Sequence, residues 1–376
     1  MSSAPKPRFL SLDVFRGATI CLMIIVNTST GTGAEPFSTL VHAPWIGFTA
    51  ADWVFPTFLF AVGNSMSFGD PKAGAEPQFL FRVLKRTAIL FLLGFLLYWY
   101  PFAHQGADGS WSAIPFGQTR FTGVLQRIAL AYFLSALFIR YLPVKALYLA
   151  CAALLLGYWG LLMEWGTPGE QLTKLGNAGT HFDLWLIGQA HLYRKDGGFD
   201  PEGMLGVLPS VVNVLAGYLA GRTLRSGASS PIRPIKLLLF AGFALVVLAL
   251  AWAPLLPIAK KLWTSSYVAL TVGLDLIVLA ALVWLIEIRK HTTGTRFFEI
   301  FGRNPLALYL LSELLTYGAE ALPIGPDHHL YDWIALTLFL PYIPGSIGVL
   351  LFSTSFMLVC WGVGYWLDRR KIVIKI

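Results

Sequence analysis

A histidine and an aspartate ten residues apart are the most informative chemistry-bearing pair in this 376-residue chain. His42 stands beside Pro44 and Trp45, and Asp52 lies at the start of the apolar run that follows. An imidazole titrates near neutral pH, so His42 suits the role of a general base and Asp52 that of its orienting carboxylate. The alternative is structural: an interfacial histidine in an aromatic belt, with Thr49 and Asp52 forming a capping box.

The first apolar run carries two further polar residues, Arg16 and Asn27. Eleven residues separate them, so on a helix they share one face and lie about 16 Å apart. At the inner end Arg16 suits a phosphate, or else anchors the helix at the lipid headgroups. At the outer end Asn27 suits a hydrogen bond to a carbonyl, to His42 or to a neighbouring helix. One polar stripe therefore joins the two ends of this helix.

Gln126 and Arg127 lie about six residues inside the outer end of another apolar run. A guanidinium at that depth is costly unless it faces a cavity or a carboxylate. Asp52 and Glu202 are candidate partners, so a ligand-binding cation and an intramembrane ion pair both stay open. Glu202 follows His191 in the longest outer loop, where acids commonly precede a helix as partners of its dipole. We expect Trp45, His191 and Glu202 to contact a substrate on the outer side.

The composition requires a membrane to position these residues. Hydrophobic residues make up 56% of the chain and charged residues only 13%, against about 25% charged in soluble domains. This excludes a soluble or a disordered protein. Ten runs are long enough to cross a hydrocarbon core about 30 Å thick. They lie near 13–30, 51–69, 80–100, 121–140, 145–163, 203–221, 237–257, 264–286, 304–318 and 346–366.

The distribution of positive charge predicts the orientation. With the N-terminus inside, 21 of the 28 lysines and arginines lie on the cytoplasmic side. The seven outer ones are Arg120, Arg127, Lys174, Arg194, Lys195, Lys260 and Lys261. Positive residues concentrate on cytoplasmic loops, so we predict an all-α bundle of about ten spans with both termini cytoplasmic. Residues 1–376 form one transmembrane domain, 164–202 its longest outer loop, and 331–343 a re-entrant or interfacial helix.

Several other kinds of protein are excluded. Cys21, Cys151 and Cys360 lie in apolar runs and predict packing residues, without the spacing of a disulfide framework or a zinc cluster. His328 and His329 are adjacent and predict a solvated loop, so we expect no metal. Orientation in the bilayer explains the net charge of +8, and we expect no nucleic-acid partner. The first run has no cleavage site after it and predicts an uncleaved helix.

A transporter is the rival hypothesis. Arg127, Asp275 and Glu313 lie inside apolar runs, where ionisable residues commonly mark an ion or solute pathway. An ion-coupled carrier of a small polar solute would use such groups. Many carriers consist of internal repeats, and the sequence shows no repeat.

The motifs resemble those of the transmembrane acetyltransferase family of heparan-α-glucosaminide N-acetyltransferase. The block from His42 to Gly63, HAPWIGFTAADWVFPTFLFAVG, is the most specific. The other matching stretches are LSLDVFRG (Leu10 to Gly17), IIVN (Ile24 to Asn27), GVLQRIALAYF (Gly123 to Phe133), HLY with DPEGMLG (His191 to Gly206) and LWTSSYV (Leu262 to Val268). The resemblance extends over nearly the whole chain.

The resemblance implies an enzyme that takes acetyl-CoA from the cytoplasmic side and acetylates a sugar on the far side. It places the active-site histidine at His42, with Asn27 and Asp52 as active-site neighbours. It makes Arg16 and Arg127 coenzyme contacts, to which we add Gln126. The chain resembles a bacterial-type member, because the far-side N-terminal domain and one crossing of the lysosomal enzyme are missing. Ser312-Glu313 stands where that enzyme has His-Glu, so no second histidine role carries over.

The sequence therefore predicts acetyl transfer from acetyl-CoA to an amino or hydroxyl group of a sugar or glycan. His42 would take the acceptor proton, Asp52 fix the imidazole and Asn27 donate to the oxyanion. Direct transfer and an acetyl-His42 intermediate are both open. We expect an integral protein of a bacterial inner membrane, with the lipid bilayer as its surroundings and a homodimer as one arrangement left open.

Overall fold

The computed structural model describes residues 9–69, 74–105, 110–227 and 232–374. Within these ranges the chain is mainly helical, as predicted. The helices are α1 (Leu10–Asn27), α2 (Ala50–Met66), α3 (Glu76–Trp99), α4 (Val124–Tyr141), α5 (Val144–Trp165), α6 (Ala178–Leu186), α7 (Val207–Ser226), α8 (Ile232–Trp252), α9 (Ser265–Val283), α10 (Thr295–Arg303), α11 (Pro305–Ala321), α12 (Leu330–Leu338) and α13 (Ser346–Arg369). A π-helical turn, Trp284–Ile288, extends α9.

Two small hairpins depart from the all-α expectation. Strands β1 (Ala103–Gln105) and β2 (Trp111–Ala113) pair antiparallel, as do β3 (Pro323–Ile324) and β4 (His328–His329). Each strand has only two or three residues, and both hairpins lie in connections between helices. They leave the helical architecture unchanged.

Each of the ten predicted runs coincides with a helix. Seven helices in the described part of the chain are long and apolar enough to span a membrane: α1, α4, α5, α7, α8, α9 with its π turn, and α13. The chain is therefore a polytopic helical membrane protein. Helices α2 and α11 have 17 residues each, which is marginal for a span. The number of ten spans stays a prediction.

Contacts between connections follow the predicted alternation. Hydrogen bonds between predicted outer segments join Trp45 to Leu172, Gly47 to Ile258, Arg120 to Asp200 and Glu35 to Ser346. Those between predicted inner segments join Ser67 to Arg225, Glu76 to Tyr141 and Asn304 to Ile372. Residues 1–8 and 375–376 lie outside the described ranges, so the cytoplasmic placement of both termini stays a prediction. Helix α12 has nine residues, too few to cross.

The centre of the bundle is formed by α2, α7 and α9. In the most apolar window of α7, 78% of residues are buried, against 17% in α5 and 22% in α8, which therefore lie at the periphery. Helices α2 and α7 touch through glycine. A Cβ added at Gly63 would lie 1.7 Å from the Val214 carbonyl oxygen, and one at Gly217 would lie 1.9 Å from that of Phe60. This close approach fixes the helix that carries Asp52.

Replacing Gly63 by alanine is expected to destabilise the bundle. The new methyl group has no room, so α2 and α7 must separate, at the cost of about 1–3 kcal/mol that is typical of overpacking. We expect the melting temperature of the detergent-solubilised protein to fall by several degrees. Gly160→Ala is the matched control, because a Cβ at this lipid-facing position meets nothing within 4 Å. Equal melting temperatures for the two variants would contradict this account of the packing.

Candidate active site

The structure brings His42 and Asp52 into direct contact. Nδ1 of His42 lies 2.8 Å from Oδ1 of Asp52, and the aspartate is fully buried. The imidazole lies in the loop before α2, and 39% of its side chain is exposed. A carboxylate can only accept at this contact, so Nδ1 carries a proton and the lone pair is on Nε2. This is the tautomer that a general base at Nε2 requires.

The second oxygen of Asp52 serves the helix start. Oδ2 accepts hydrogen bonds from the backbone N–H groups of Ala43 and Thr49, at 3.1 and 3.0 Å. Thr49 and Asp52 form the predicted capping box. The hydroxyl of Tyr267 donates to the carbonyl oxygen of Asp52 at 2.5 Å. The structural and the orienting interpretations of Asp52 are therefore compatible, because each uses a different oxygen.

A lysine that the sequence reasoning did not select completes this centre. Nζ of Lys260, in the loop between α8 and α9, lies 3.3 Å from Nε2 of His42. Burial, followed by the charge of Lys260, lowers the pKa of His42 from its ordinary value, against the opposing effect of Asp52. Lys260 lies 218 residues from His42 in sequence, and no local motif joins them. The sequence alone placed Lys260 only among the seven lysines and arginines of the predicted outer side.

Trp45, three residues after His42 in the chain, borders a cavity on the predicted outer side. Its indole N–H donates to the carbonyl oxygen of Leu172 at 2.7 Å, and its ring packs edge-on against Phe199 with centroids 4.9 Å apart. The cavity measures about 470 Å³ and is also lined by residues of the long outer loop, among them Leu172 and Lys174. Trp45 is therefore an aromatic wall of this cavity, held in place by Leu172 and Phe199.

Glu202 belongs to a buried ion-pair group on the predicted outer side. Arg120 contacts Asp200 at 2.5 Å and Glu202 at 2.7 Å. Burial opposes ionisation of Glu202, but the charge of Arg120 outweighs it and lowers the pKa to about 2. His191 lies beside this group, with Nδ1 2.8 Å from the carbonyl oxygen of Thr119. Glu202 and His191 thus have structural partners, and their place on the outer side stays a prediction.

Arg127 and Gln126 lie nearer the helix start than predicted. Helix α4 begins at Val124, so both residues belong to its first turn. Nη2 of Arg127 donates to the carbonyl oxygen of Gly203 at 2.8 Å. Of the two candidate partners, Glu202 acts on Arg127 through its charge and not through a direct ion pair. The guanidinium of Arg127 also lies 4.8 Å from the ring centroid of Trp263.

Gln126 and Arg127 are each 2% exposed, and some of their polar atoms lack a hydrogen-bond partner among the described residues. Among the described residues, Nε and Nη1 of Arg127 and both amide atoms of Gln126 have no hydrogen-bond partner. Buried polar groups are rarely unpaired, so these atoms are suited to a ligand or to ordered water.

The other intramembrane groups are each held by near neighbours. Nδ2 of Asn27 donates to Oε1 of Glu313 at 2.7 Å, which is the neighbouring-helix alternative for Asn27. Asp275 accepts from Trp53 at 2.9 Å and from Thr57 at 2.8 Å, both on α2. Arg127, Asp275 and Glu313 thus have separate surroundings, and a role of Asn27 at His42 stays a prediction.

A second cavity opens at the predicted inner end of the bundle, between α2, α3 and α4. It measures about 430 Å³, and its positive lining residues are Arg16, Arg82 and Arg86. Arg16 also contacts Asp13 at 2.8 Å and Ser65 at 3.1 Å. The lining of α4 runs from Ile139 to Ile128, about 16 Å along the helix axis. The cavity thus extends from the inner surface to within one residue of Arg127.

The structure adds Arg82 and Arg86 to the predicted Arg16. Arg86 lies over the Tyr132 ring at 4.6 Å, and its Nε has no hydrogen-bond partner among the described residues. In the sequence both arginines read as ordinary inner-side charges. Arg82 and Arg86 lie four residues apart in the first half of α3 and so share one face of the helix; this spacing was the signal available in the sequence.

No group of three or more metal-ligating side chains occurs within the described ranges. His328 contacts Asp332 at 2.7 Å in an exposed capping arrangement on α12, as expected for a solvated loop. Cys21 and Cys360 are buried and Cys151 partly so, all as free thiols.

Fold and site define a polytopic helical membrane protein with a histidine–carboxylate pair at one mouth and a positively lined cavity at the other. Residues 8–247 match the family model of the heparan-alpha-glucosaminide N-acetyltransferase catalytic region. The chain belongs to this family, which confirms the resemblance seen in its motifs. Two similar proteins are the heparan-alpha-glucosaminide N-acetyltransferases of Homo sapiens and Mus musculus. They are 28% and 24% identical, over 83% and 82% of this chain.

The chain spans about half the length of these curated relatives, 54% of each. The family match includes His42, Asp52, Gln126 and Arg127, and it ends before Lys260.

Proposed function

We propose that this chain is a membrane acetyltransferase. It moves acetyl from acetyl-CoA, bound from the cytoplasmic side, to an amino or hydroxyl group of a sugar or glycan on the other side. The His42–Asp52 contact carries the proposal, because it gives a neutral imidazole whose Nδ1–H is fixed and whose Nε2 can accept a proton. The family supports the reaction class, since the relatives are named as N-acetyltransferases. The membrane we propose is a bacterial cytoplasmic membrane.

In the proposed reaction the acceptor nitrogen or oxygen attacks the thioester carbonyl carbon. His42 takes the acceptor proton at Nε2 as the new bond forms, and the carbon–sulfur bond of the tetrahedral intermediate then breaks. The imidazolium returns the proton to the leaving thiolate, which departs as the thiol of coenzyme A. Asp52 stabilises the transient positive charge on His42 and fixes the ring. Direct attack needs no acetyl-His42 intermediate, and labelling without acceptor distinguishes the two routes.

The inner cavity is the proposed coenzyme site. Arginine binds phosphate through paired N–H groups, so Arg16, Arg82 and Arg86 suit the phosphates of the nucleotide. The outermost α2 residue lining the cavity is Phe58, about 9 Å along the axis from Asp52. An extended pantetheine arm can bridge this remaining distance. The unpaired amide of Gln126 and the free N–H groups of Arg127 would then meet the polar atoms of the arm.

The outer cavity beside Trp45 is the proposed acceptor site. Aromatic rings bind the apolar faces of sugar rings, and Trp45 is held rigidly by its bond to Leu172. Asn27 is proposed as the oxyanion donor once it leaves Glu313, and His191 and Glu202 as acceptor contacts. The names of the relatives favour a glucosamine-type sugar and therefore N-acetylation.

The test uses inside-out vesicles that contain the protein, with glucosamine sealed inside and radiolabelled acetyl-CoA added outside. We expect labelled acetyl-glucosamine to accumulate inside. Arg86→Gln should raise the KM for acetyl-CoA about 10- to 100-fold, because it removes a charged contact to phosphate.

Arg233→Gln is the control for this experiment, since Arg233 is an exposed arginine of the same predicted side and lies outside the cavity lining. Its KM should equal that of the unmodified protein. Transfer only from coenzyme added on the sugar's side, or an equal KM for both variants, would contradict the proposed coenzyme site.

A further inference from the structure

The loop that carries Lys260 is fastened to the loop that carries His42. The backbone N–H of Gly47 donates to the carbonyl oxygen of Ile258 at 2.8 Å, and Gly47 and Ala259 form an isolated bridge. Within the lysine loop, the N–H of Ala259 donates to Oγ1 of Thr264 at 3.1 Å. These contacts at Ile258 and Ala259, the two residues before Lys260, fix the backbone of Lys260 relative to the loop that carries His42.

Within this frame the lysine side chain ends at the reactive nitrogen. Nζ lies 3.3 Å from Nε2, the atom proposed to take the acceptor proton. Since Nδ1 carries the proton that faces Asp52, Nε2 can only accept, and the lysine donates to it. Each imidazole nitrogen thus has one polar partner of opposite character, and together the two partners select a single tautomer.

Two negative groups and one positive group surround His42. Facing His42 are Asp52 from α2, Glu202 from the long outer loop and Lys260. Lys260 in turn interacts with Glu202 and Asp52, and with the positive charges of Arg127 and Lys261. Burial is the main cause that lowers the pKa of Lys260, and its carboxylate neighbours oppose this. Lys260 is the cation that acts on His42, and its Nζ contacts Nε2 of the imidazole.

We propose that Lys260 is a positioning residue for His42. It holds the imidazole as the neutral tautomer with its lone pair at Nε2, and an entering acceptor replaces it there. The position of Lys260 is given by the observed contacts, and its effect on acetyl transfer rests on the proposed function. Lys260 lies beyond the matched family region, so its assignment comes from this structure.

The arrangement has a chemical consequence for both halves of the reaction. A nearby ammonium disfavours imidazolium, so His42 stays unprotonated to a lower pH than a free histidine would. After the acceptor proton has moved to Nε2, the same repulsion makes the imidazolium a stronger acid. The proton is then passed more readily to the thiolate of the leaving coenzyme, which completes the transfer.

The test measures the titration of His42 in the resting protein. Diethyl pyrocarbonate modifies unprotonated imidazole, and peptide mass spectrometry follows each histidine separately as the pH is varied. In Lys260→Met we expect the half-maximal modification rate of His42 at a pH about one unit higher than in the unmodified protein. Lys260→Arg, which keeps the positive charge, should restore the lower value.

The matched control is Lys261→Met, which removes the same charge one residue away. Lys261 contacts Asp196 at 2.8 Å, and His42 should titrate in this variant as in the unmodified protein. His328, paired with Asp332, is an internal control that should not move in any variant. A His42 curve that is unchanged in Lys260→Met, or shifted equally in Lys261→Met, would overturn the proposal. If Lys260→Met does not fold, the comparison of Lys260→Gln with Lys260→Arg decides the question by the same criterion.

The experiment separates this inference from the proposed function. It uses neither coenzyme nor acceptor, so the titration shift is measurable whether or not the chain transfers acetyl. A shift together with no acetyl transfer would overturn the function and leave the positioning role in place. Acetyl transfer without a shift in the titration of His42 would overturn the positioning role of Lys260 and leave the proposed function in place.

Discussion

Replacing His42 by glutamine is expected to lower the rate of acetyl transfer by about 10²- to 10⁴-fold, the range for loss of a general base. Glutamine keeps a polar side chain of similar length but cannot take a proton at neutral pH. The loss should appear in kcat, because the proposed coenzyme site lies at the opposite end of α2. Binding of acetyl-CoA, measured by calorimetry on the same preparation, should stay within about twofold, a change of less than 1 kcal/mol.

The chain supplies a matched control in His328→Gln. His328 also contacts an aspartate through Nδ1, at 2.7 Å, and lies on the predicted outer side. His328 lines neither the inner cavity nor the cavity beside Trp45, and its replacement should leave the rate unchanged. Full activity of His42→Gln, or equal losses in both variants, would remove His42 from the mechanism.

Asp52→Asn is expected to be nearly as damaging, with kcat lower by about 10²- to 10⁴-fold, as for loss of an orienting carboxylate in a hydrolase triad. The amide oxygen must face the N–H groups of Ala43 and Thr49, which both donate to Oδ2. The amide NH₂ then points at Nδ1 of His42 and favours a lone pair there. The proton moves to Nε2, so the imidazole presents the wrong nitrogen to the acceptor.

This explanation distinguishes loss of the tautomer from loss of the helix cap. The amide oxygen still accepts from Thr49, so the melting temperature of Asp52→Asn should fall only slightly, whereas Asp52→Ala also loses the cap at a cost of about 1 kcal/mol. Nitrogen-15 NMR of the imidazole should show the proton on Nε2 in Asp52→Asn. A proton retained on Nδ1 together with low activity would contradict the tautomer explanation.

Local patterns in the sequence predicted the elements well. Each apolar run from 13–30 to 346–366 lies on a helix, because helical segments in lipid must be apolar over about 20 residues. The capping box at Thr49 and Asp52 was readable since its two residues are three apart. His42 and Asp52 could be paired in advance because one short loop joins them.

The remaining parts of the site depend on contacts that no local pattern encodes. Lys260 meets His42 only because two distant loops are joined at Gly47 and Ile258. The depth of Arg127 was misjudged because α4 begins three residues later than its apolar run, at Val124. The partner of Asn27 is Glu313, 286 residues away. Such pairings follow from how the helices pack, which a single sequence does not state.

The double use of Asp52 links reactivity to local order. One carboxylate begins α2 through Oδ2 and aligns the imidazole through Oδ1. Whenever the first turn of α2 unwinds, the proposed base His42 also loses its alignment. The proposed catalytic pair is therefore lost whenever the start of α2 is disordered, so acetyl transfer is expected only while this end of the bundle is fully folded.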